Sequence, residues 1–183
     1  MTQRRETDQT VPMRSLVIVR HAKAAAAKNH QNDFDRPLTK RGRAQSERLR
    51  VWASDPQSLG RFGPVTALVS GSARTRETYA VAFAGTPFVH ALETSVLIYN
   101  GTRDVTGGDL LAELATIDPV TESLMVVAHN PTVLELAHDL AAGPIPALVD
   151  GRFPLAAALV FELPDQPIGP GPYRFVEAFV PED

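Results

Sequence analysis

Cysteine is missing from all 183 residues. Disulfides, thiolate catalysis and thiolate-held metal are thereby excluded, and the chain fits a reducing compartment. Long hydrophobic runs are missing too, since no apolar stretch nears the ~20 residues that span a bilayer. The polar opening "MTQRRETDQTVPM" lacks the apolar core of a secretory signal. It reads as a disordered tail over 1–13, followed by a single domain over 14–183 with the cytoplasm as its expected location. No membrane partner is expected. Positive charge is not in excess: 18 Lys and Arg stand against 21 Asp and Glu, a formal net charge of −3. A sequence-independent nucleic-acid binder is usually basic, so nucleic acid is not an expected partner, although a local basic pocket is not excluded. There are no internal repeats, and the only low-complexity stretch is the four alanines at 24–27.

What is present is an ordinary globular composition, 44% hydrophobic and 21% charged, able to bury a real core. Short β-rich runs alternate with helical patterns, as in a βαβ-type parallel sheet. Strands are predicted at Leu16–Val19, Val65–Ser70 and Ser123–His129, and two more at "AALVFEL" and "YRFVEAFV" around the long turn "PDQPIGPGP". Helices are predicted behind Thr39 as N-cap, with Leu49, Val51 and Trp52 apolar, and over "ARTRETYAVAFA", with Ala73, Tyr79, Ala80 and Phe83 as the apolar face. Two more are expected from about Asp109 and from Pro131 in a first turn, where proline is tolerated. "SVLIY" (95–99) is an apolar run of undecided type.

Three of these strands end in polar residues suited to an oxyanion. The first runs into Arg20–His21, the second into "SGSARTRET" with Arg74, the third into His129–Asn130. In an open α/β sheet, ligands sit beyond the carboxyl ends of the strands, so these side chains can converge. Arginine presents a planar fork of donors that matches phosphate oxygens, and the helix after His129 adds free backbone N–H groups. Each pair alone has a plainer reading. Arg20–His21 suits a solvated turn, Arg74 a surface helix, His129 a core histidine, and Asn130–Pro131 a turn.

Together, "VRHAKA", "DRPLTKRG", "VSGSARTRET" and "VVAHNP", in this order from about Arg14 onward, resemble the histidine phosphatase superfamily. The short chain and the "RPLT..G" element are similar to the SixA-type phosphohistidine phosphatases within it. The resemblance implies a phosphoglycerate mutase-like fold: a three-layer α/β/α sandwich around a mostly parallel sheet. It also implies a metal-independent, cofactor-free hydrolase in which His21 is the nucleophile and forms a phosphohistidine intermediate. Arg20, Arg74 and His129 hold the phosphoryl oxygens in that scheme, with Asn130 at the phosphate site. A phosphohistidine-carrying protein is the implied partner.

Some positions depart from the family pattern. The glycine usual after the nucleophile is Ala22, which is tolerable if its φ is negative. Thr75 and Glu77 replace a frequent alanine and glutamine, and neither is expected to touch phosphate. No motif fixes a general acid; Glu93, Asp104 and Asp35 are candidates by rough location only. Arg36 either lines the pocket or pairs with Asp33 or Asp35. His30, His90 and His138 read as structural or exposed, and the basic run "KRGRAQSERLR" as a solvated helix face or a contact for an acidic partner. The rival functions are hydrolysis of small phosphate esters, a mutase, and a silent phosphate- or phosphohistidine-binding module. No long insertion before Arg74 is available to form a mutase lid, and binding alone needs no nucleophile.

Overall fold

Both faces of the first apolar run are buried: Leu16 and Ile18 pack into one core cluster, Val17 and Val19 into another. A strand wanted on both sides belongs in the middle of a covered sheet. The computed structural model describes residues 14–99, 101, 104–120, 122–148 and 151–182, so the expected tail over 1–13 lies outside the described residues. In it the run is β1 (Ser15–Arg20), joined by β2 (Val65–Ser70), β3 (Val89–Ser95), β4 (Ser123–Ala128), β5 (Ala158–Glu162) and β6 (Phe175–Phe179).

The strand order is β3-β2-β4-β1-β5-β6. The pairs β1–β4, β4–β2 and β2–β3 are parallel, while β5 runs antiparallel to β1 and β6 antiparallel to β5. Helices α1 (Lys40–Ala53) and α2 (Ala73–Ala82) cover one face, and α3 (Gly107–Ile117) and α4 (Thr132–Leu140) the other. The result is a three-layer α/β/α sandwich with a mostly parallel sheet. Among the described residues, no helix is long and apolar enough to cross a membrane.

Several local expectations shift. Val51 is 75% exposed, because the buried stripe of α1 is Gly42, Gln45, Ser46, Leu49 and Ala53. Two positions from Leu49, about 200° of helical rotation, point Val51 to solvent. The same geometry exposes Ala80, two positions from buried Thr78. Pro131 is the N-cap of α4 rather than a first-turn residue. Helix α3 starts at Gly107, two residues early, because Thr106 and Asp109 form a reciprocal capping box. Strand β3 was not expected at all. Its sequence, "VHALETS", is largely polar because it is an edge strand with little to bury. "SVLIY" only begins as that strand's last residue; Val96 and Leu97 are then exposed, and Ile98 and Tyr99 turn inward.

Candidate active site

The parallel arrangement brings the C-terminal ends of β1, β2 and β4 side by side at one edge of the sheet. His21 follows β1 directly. Its backbone N–H donates to the Ala128 carbonyl at 3.1 Å, and its own carbonyl accepts from Ala156 N at 3.3 Å. The backbone under the ring is therefore held from both neighbouring strands. The ring is held as well: Nδ1 lies 2.8 Å from the Ala22 carbonyl. A carbonyl only accepts, so Nδ1 carries the proton and Nε2 keeps its lone pair. Burial, reinforced by the charges of Arg74, Arg20 and Arg36, lowers the His21 pKa to about 4, although the Ala22 hydrogen bond opposes this. The imidazole is neutral at physiological pH.

Around it stand the other residues singled out in the sequence. His129 packs edge-on against His21 with ring centroids 5.0 Å apart. Its Nε2 is 2.9 Å from Ser70 Oγ, at the end of β2. Burial, then the neighbouring His21 and Arg74, push its pKa down to about 2, so this ring too is neutral at physiological pH. Arg20 Nη1 donates to the Phe153 carbonyl at 2.6 Å. Arg74, on the first turn of α2, is 8% exposed. No side chain caps that helix, which leaves N-terminal N–H groups for an anion. Three buried polar atoms lack a hydrogen-bond partner here: Arg20 Nε, His129 Nδ1 and Asn130 Oδ1. Buried polar atoms are normally satisfied, and a group of orphans in one pocket suits a polar ligand.

One member of the cluster was missed in the sequence. Asp33, in a single 3₁₀ turn over Asp33–Asp35, takes three donors on its carboxylate. These are Arg36 Nη1 at 2.6 Å, Arg74 Nη2 at 2.9 Å and Tyr99 Oη at 2.8 Å. Its backbone carbonyl accepts Arg74 Nη1 at 2.7 Å. Burial alone raises a carboxyl pKa, but these hydrogen bonds and charges outweigh it and hold Asp33 well below the usual carboxylate range. It is an anion, not an acid in waiting. The signal available in the sequence was the i,i+3 spacing of Asp33 and Arg36; Tyr99 gave none, being distant in the chain. Arg36 pairs with Asp33, the second of its two alternatives, and its charge contributes to lowering the His21 pKa. Glu93, Asp104 and Asp35 are exposed, and no hydrogen bond or ion pair ties them to His21, Arg20, Arg74 or His129.

The "RPLT..G" element acts on this site from behind. Thr39 N and Oγ1 both donate to the Lys23 carbonyl, at 2.9 and 3.0 Å, and Thr39 Oγ1 caps α1 through Gly42 N. A Cβ on Gly42 would collide with that Lys23 carbonyl, so only glycine lets α1 approach. The element thereby clamps the segment two residues beyond His21. Ala22 is buried, has no positive φ, and gives its N–H to Thr78 Oγ1 at 3.0 Å, so a methyl replaces the familiar glycine without strain. Thr75 bonds the Ser70 carbonyl at 2.6 Å, and Glu77 pairs with Arg43 at 2.8 Å. Neither contacts the four central residues. His30 and His138 are exposed, and His90 pairs with Glu122 at 2.9 Å. A cavity of about 550 Å³ under the 162–174 turn contains none of the site residues.

Comparison with known proteins agrees with this fold. The family model of the histidine phosphatase superfamily (branch 1) matches residues 16–95. No curated protein sequence matches significantly. The crystal structure of SixA from Agrobacterium tumefaciens superposes with a TM-score of 0.73 at 26% identity, covering 93% of this chain and 99% of that one. SixA from Nakamurella multipartitia gives 0.69 at 25% identity, covering 92% and 96%. The protein histidine phosphatase SixA complexed with tungstate shares the fold, with a TM-score of 0.65 at 22% identity over 82% and 89% of the two chains. With its two-sided parallel sheet and the Arg-His pair at the end of β1, the chain shares the fold of these SixA structures and matches the histidine phosphatase superfamily model over residues 16–95.

Proposed function

We propose that this protein is a metal-independent phosphatase that works through a phosphohistidine on His21 and acts on protein phosphohistidine. The observation that carries the reading is the Ala22 carbonyl on Nδ1 of His21, because it leaves Nε2 unprotonated beside Arg20, Arg74 and His129. In the first step the Nε2 lone pair attacks phosphorus, a P–Nε2 bond forms, and the bond to the leaving imidazole breaks with its electron pair. Arg20 and Arg74 take the non-bridging oxygens, and Asn130 stands beside them. They stabilise the in-line transition state electrostatically. An arriving phosphoryl dianion reverses the field at His129 and favours its protonation, which makes it a third cation. Water then attacks phosphorus, the P–Nε2 bond breaks, and inorganic phosphate leaves.

Substrate class follows from what surrounds His21. Asp33, which shares Arg74 with the site, is held ionised by three donors and cannot give a proton. An alkyl phosphate expels an alkoxide unless an acid protonates it, a contribution of roughly 10²–10⁴-fold. A phosphoramidate nitrogen is protonated before the bond breaks, so phosphohistidine needs no such acid. The test is a hydrolysis screen in EDTA with a phosphohistidine protein, a phosphoserine peptide and a panel of sugar phosphates. The reading expects the first to turn over far faster than the others. Loss of activity on chelation refutes metal independence, and preference for a sugar phosphate moves the protein to the small-ester phosphatases.

A further inference from the structure

Beside the phosphate pocket, on its β5–β6 side, lies a second cleft of about 440 Å³. Arg20, Lys23, Arg41, Gln45 and Arg152 line it, with an apolar floor that includes Phe153 and Leu155. None of the described residues lining it is Asp or Glu. Four cations in one concavity stand out in a chain whose net charge is −3. The side chains of Lys23 and Arg152 make no hydrogen bond or ion pair among the described residues, and both are exposed. The buried Gln45 side chain has its oxygen occupied by Lys23 N at 3.1 Å. Arg20 belongs to both concavities, and its anchor on the Phe153 carbonyl fixes the wall between them.

Topology explains the adjacency. Strand β5 is antiparallel to β1 and β6 to β5, so the start of β5 and the end of β6 meet the C-terminal end of β1. Those are the segments that carry 152–155 and 180–181. The phosphate pocket spans β2, β4 and β1; the cleft continues the same edge over β1, β5 and β6.

Resting on the phosphohistidine reading for its physiological ligand, we infer that this cleft is a second anion seat, which takes the carboxylate of an acidic residue flanking the phosphohistidine on the substrate protein. Strands lie about 4.8 Å apart, so the cleft is about 5–10 Å from His21 along the sheet edge. In an extended segment, at about 3.3 Å per residue, that is the reach of a residue two or three positions from the phosphohistidine. The seat accounts for the three cations of that wall, Lys23, Arg41 and Arg152, that the chemistry at His21 does not use. Its contribution is to KM for acidic substrates and not to the chemical step.

The test pairs two probes on the full-length enzyme. In the first, ω-phosphonocarboxylates of increasing chain length compete with p-nitrophenyl phosphate, each measured against the alkyl phosphonate of equal length. The second compares phosphohistidine peptides carrying Glu or Ala at the second or third flanking position. At one chain length the added carboxylate should tighten inhibition about 10-fold, as charge-assisted contacts allow, and the Glu peptides should show a lower KM than the Ala peptides. The double variant Lys23→Glu/Arg152→Glu should abolish both gains and favour a Lys-flanked peptide, while kcat for p-nitrophenyl phosphate stays within about two-fold, since neither side chain is assigned to the reacting phosphoryl group. Single Lys23→Gln and Arg152→Gln variants should each lose part of the gain. If no chain length tightens inhibition, or if the double variant inhibits as the parent does, the seat does not exist. If the phosphonocarboxylates show the gain but neither peptide is hydrolysed, the seat stands and the phosphohistidine reading falls.

Discussion

Replacing Asp33 by alanine separates two opposite roles for an anion beside a phosphate pocket. Arg74 makes one bond to the Asp33 main chain, which alanine keeps, and one to its carboxylate, which alanine removes. Tyr99 and Arg36 lose the same acceptor. If the carboxylate positions Arg74, the guanidinium gains freedom to swing away from the phosphoryl oxygens. Outright loss of a transition-state donor costs about 10²–10³ in kcat. A partly freed donor should cost less, and misplacement by about 1 Å can still cost 10²-fold. We therefore expect kcat to fall about 10- to 100-fold, with a smaller rise in KM. Asp33→Asn, which keeps one acceptor oxygen, should fall between. The side chain is half exposed, so melting temperature should shift little, as for other surface ion pairs. The assay is p-nitrophenyl phosphate kinetics with kcat and KM resolved, alongside the inhibition constants of phosphate and tungstate. An unchanged kcat with tighter phosphate inhibition would refute positioning. It would show Asp33 to be an internal anion that competes for Arg74.

Four further outcomes follow. His21 must be neutral to attack and its pKa is lowered to about 4, so kcat/KM should hold from pH 7 down to about 5 and fall only near 4. Stability has the related sign: His21 and His129 bind fewer protons folded than unfolded, so thermal stability should decrease as pH drops from about 6.5, the ordinary histidine value, toward 4. A pH-independent melting temperature across that window would contradict the buried neutral pair. On the acid-free reading proposed above, kcat/KM should depend steeply on leaving-group pKa, and Glu93→Gln, Asp104→Asn and Asp35→Asn should leave the slope unchanged; a slope that steepens in one variant identifies an acid. Gly42→Ala should destabilise the fold by about 1–3 kcal/mol, the usual range for overpacking, because its methyl meets the Lys23 main chain; chemical denaturation reads this directly.

Most of the sheet was legible because its central strands are buried on both faces and therefore read as unbroken apolar runs, as in Leu16–Val19 and Leu124–Val127. Strand β3 was not legible, since an edge strand carries no such demand and "HALETS" looks like a loop. Helix faces went wrong at Val51 and Ala80 for a related reason. Small and polar residues such as Gly42, Ser46 and Thr78 fill the buried stripes, so apolar spacing alone misplaced the faces. At the site, Arg20, His21, Arg74 and His129 were visible because each stands at a strand end or helix start. Asp33 and Tyr99 were not, because their roles depend on hydrogen bonds that span 41 positions to Arg74 and 66 positions between the two residues. The basic cleft was hidden for the same reason, its cations coming from 20, 23, 41 and 152.

The central claim is that His21 carries the phosphoryl group, and the most direct measurement is to trap it there. Enzyme mixed with labelled phosphohistidine protein or aryl phosphate is quenched within a turnover, digested and mapped. The account predicts one acid-labile, base-stable phosphate on Nε2 of His21, because Nδ1 is occupied by the Ala22 carbonyl. It also predicts no label and no turnover in a folded His21→Ala variant. Label on another residue, or near-normal turnover by that variant, would contradict it.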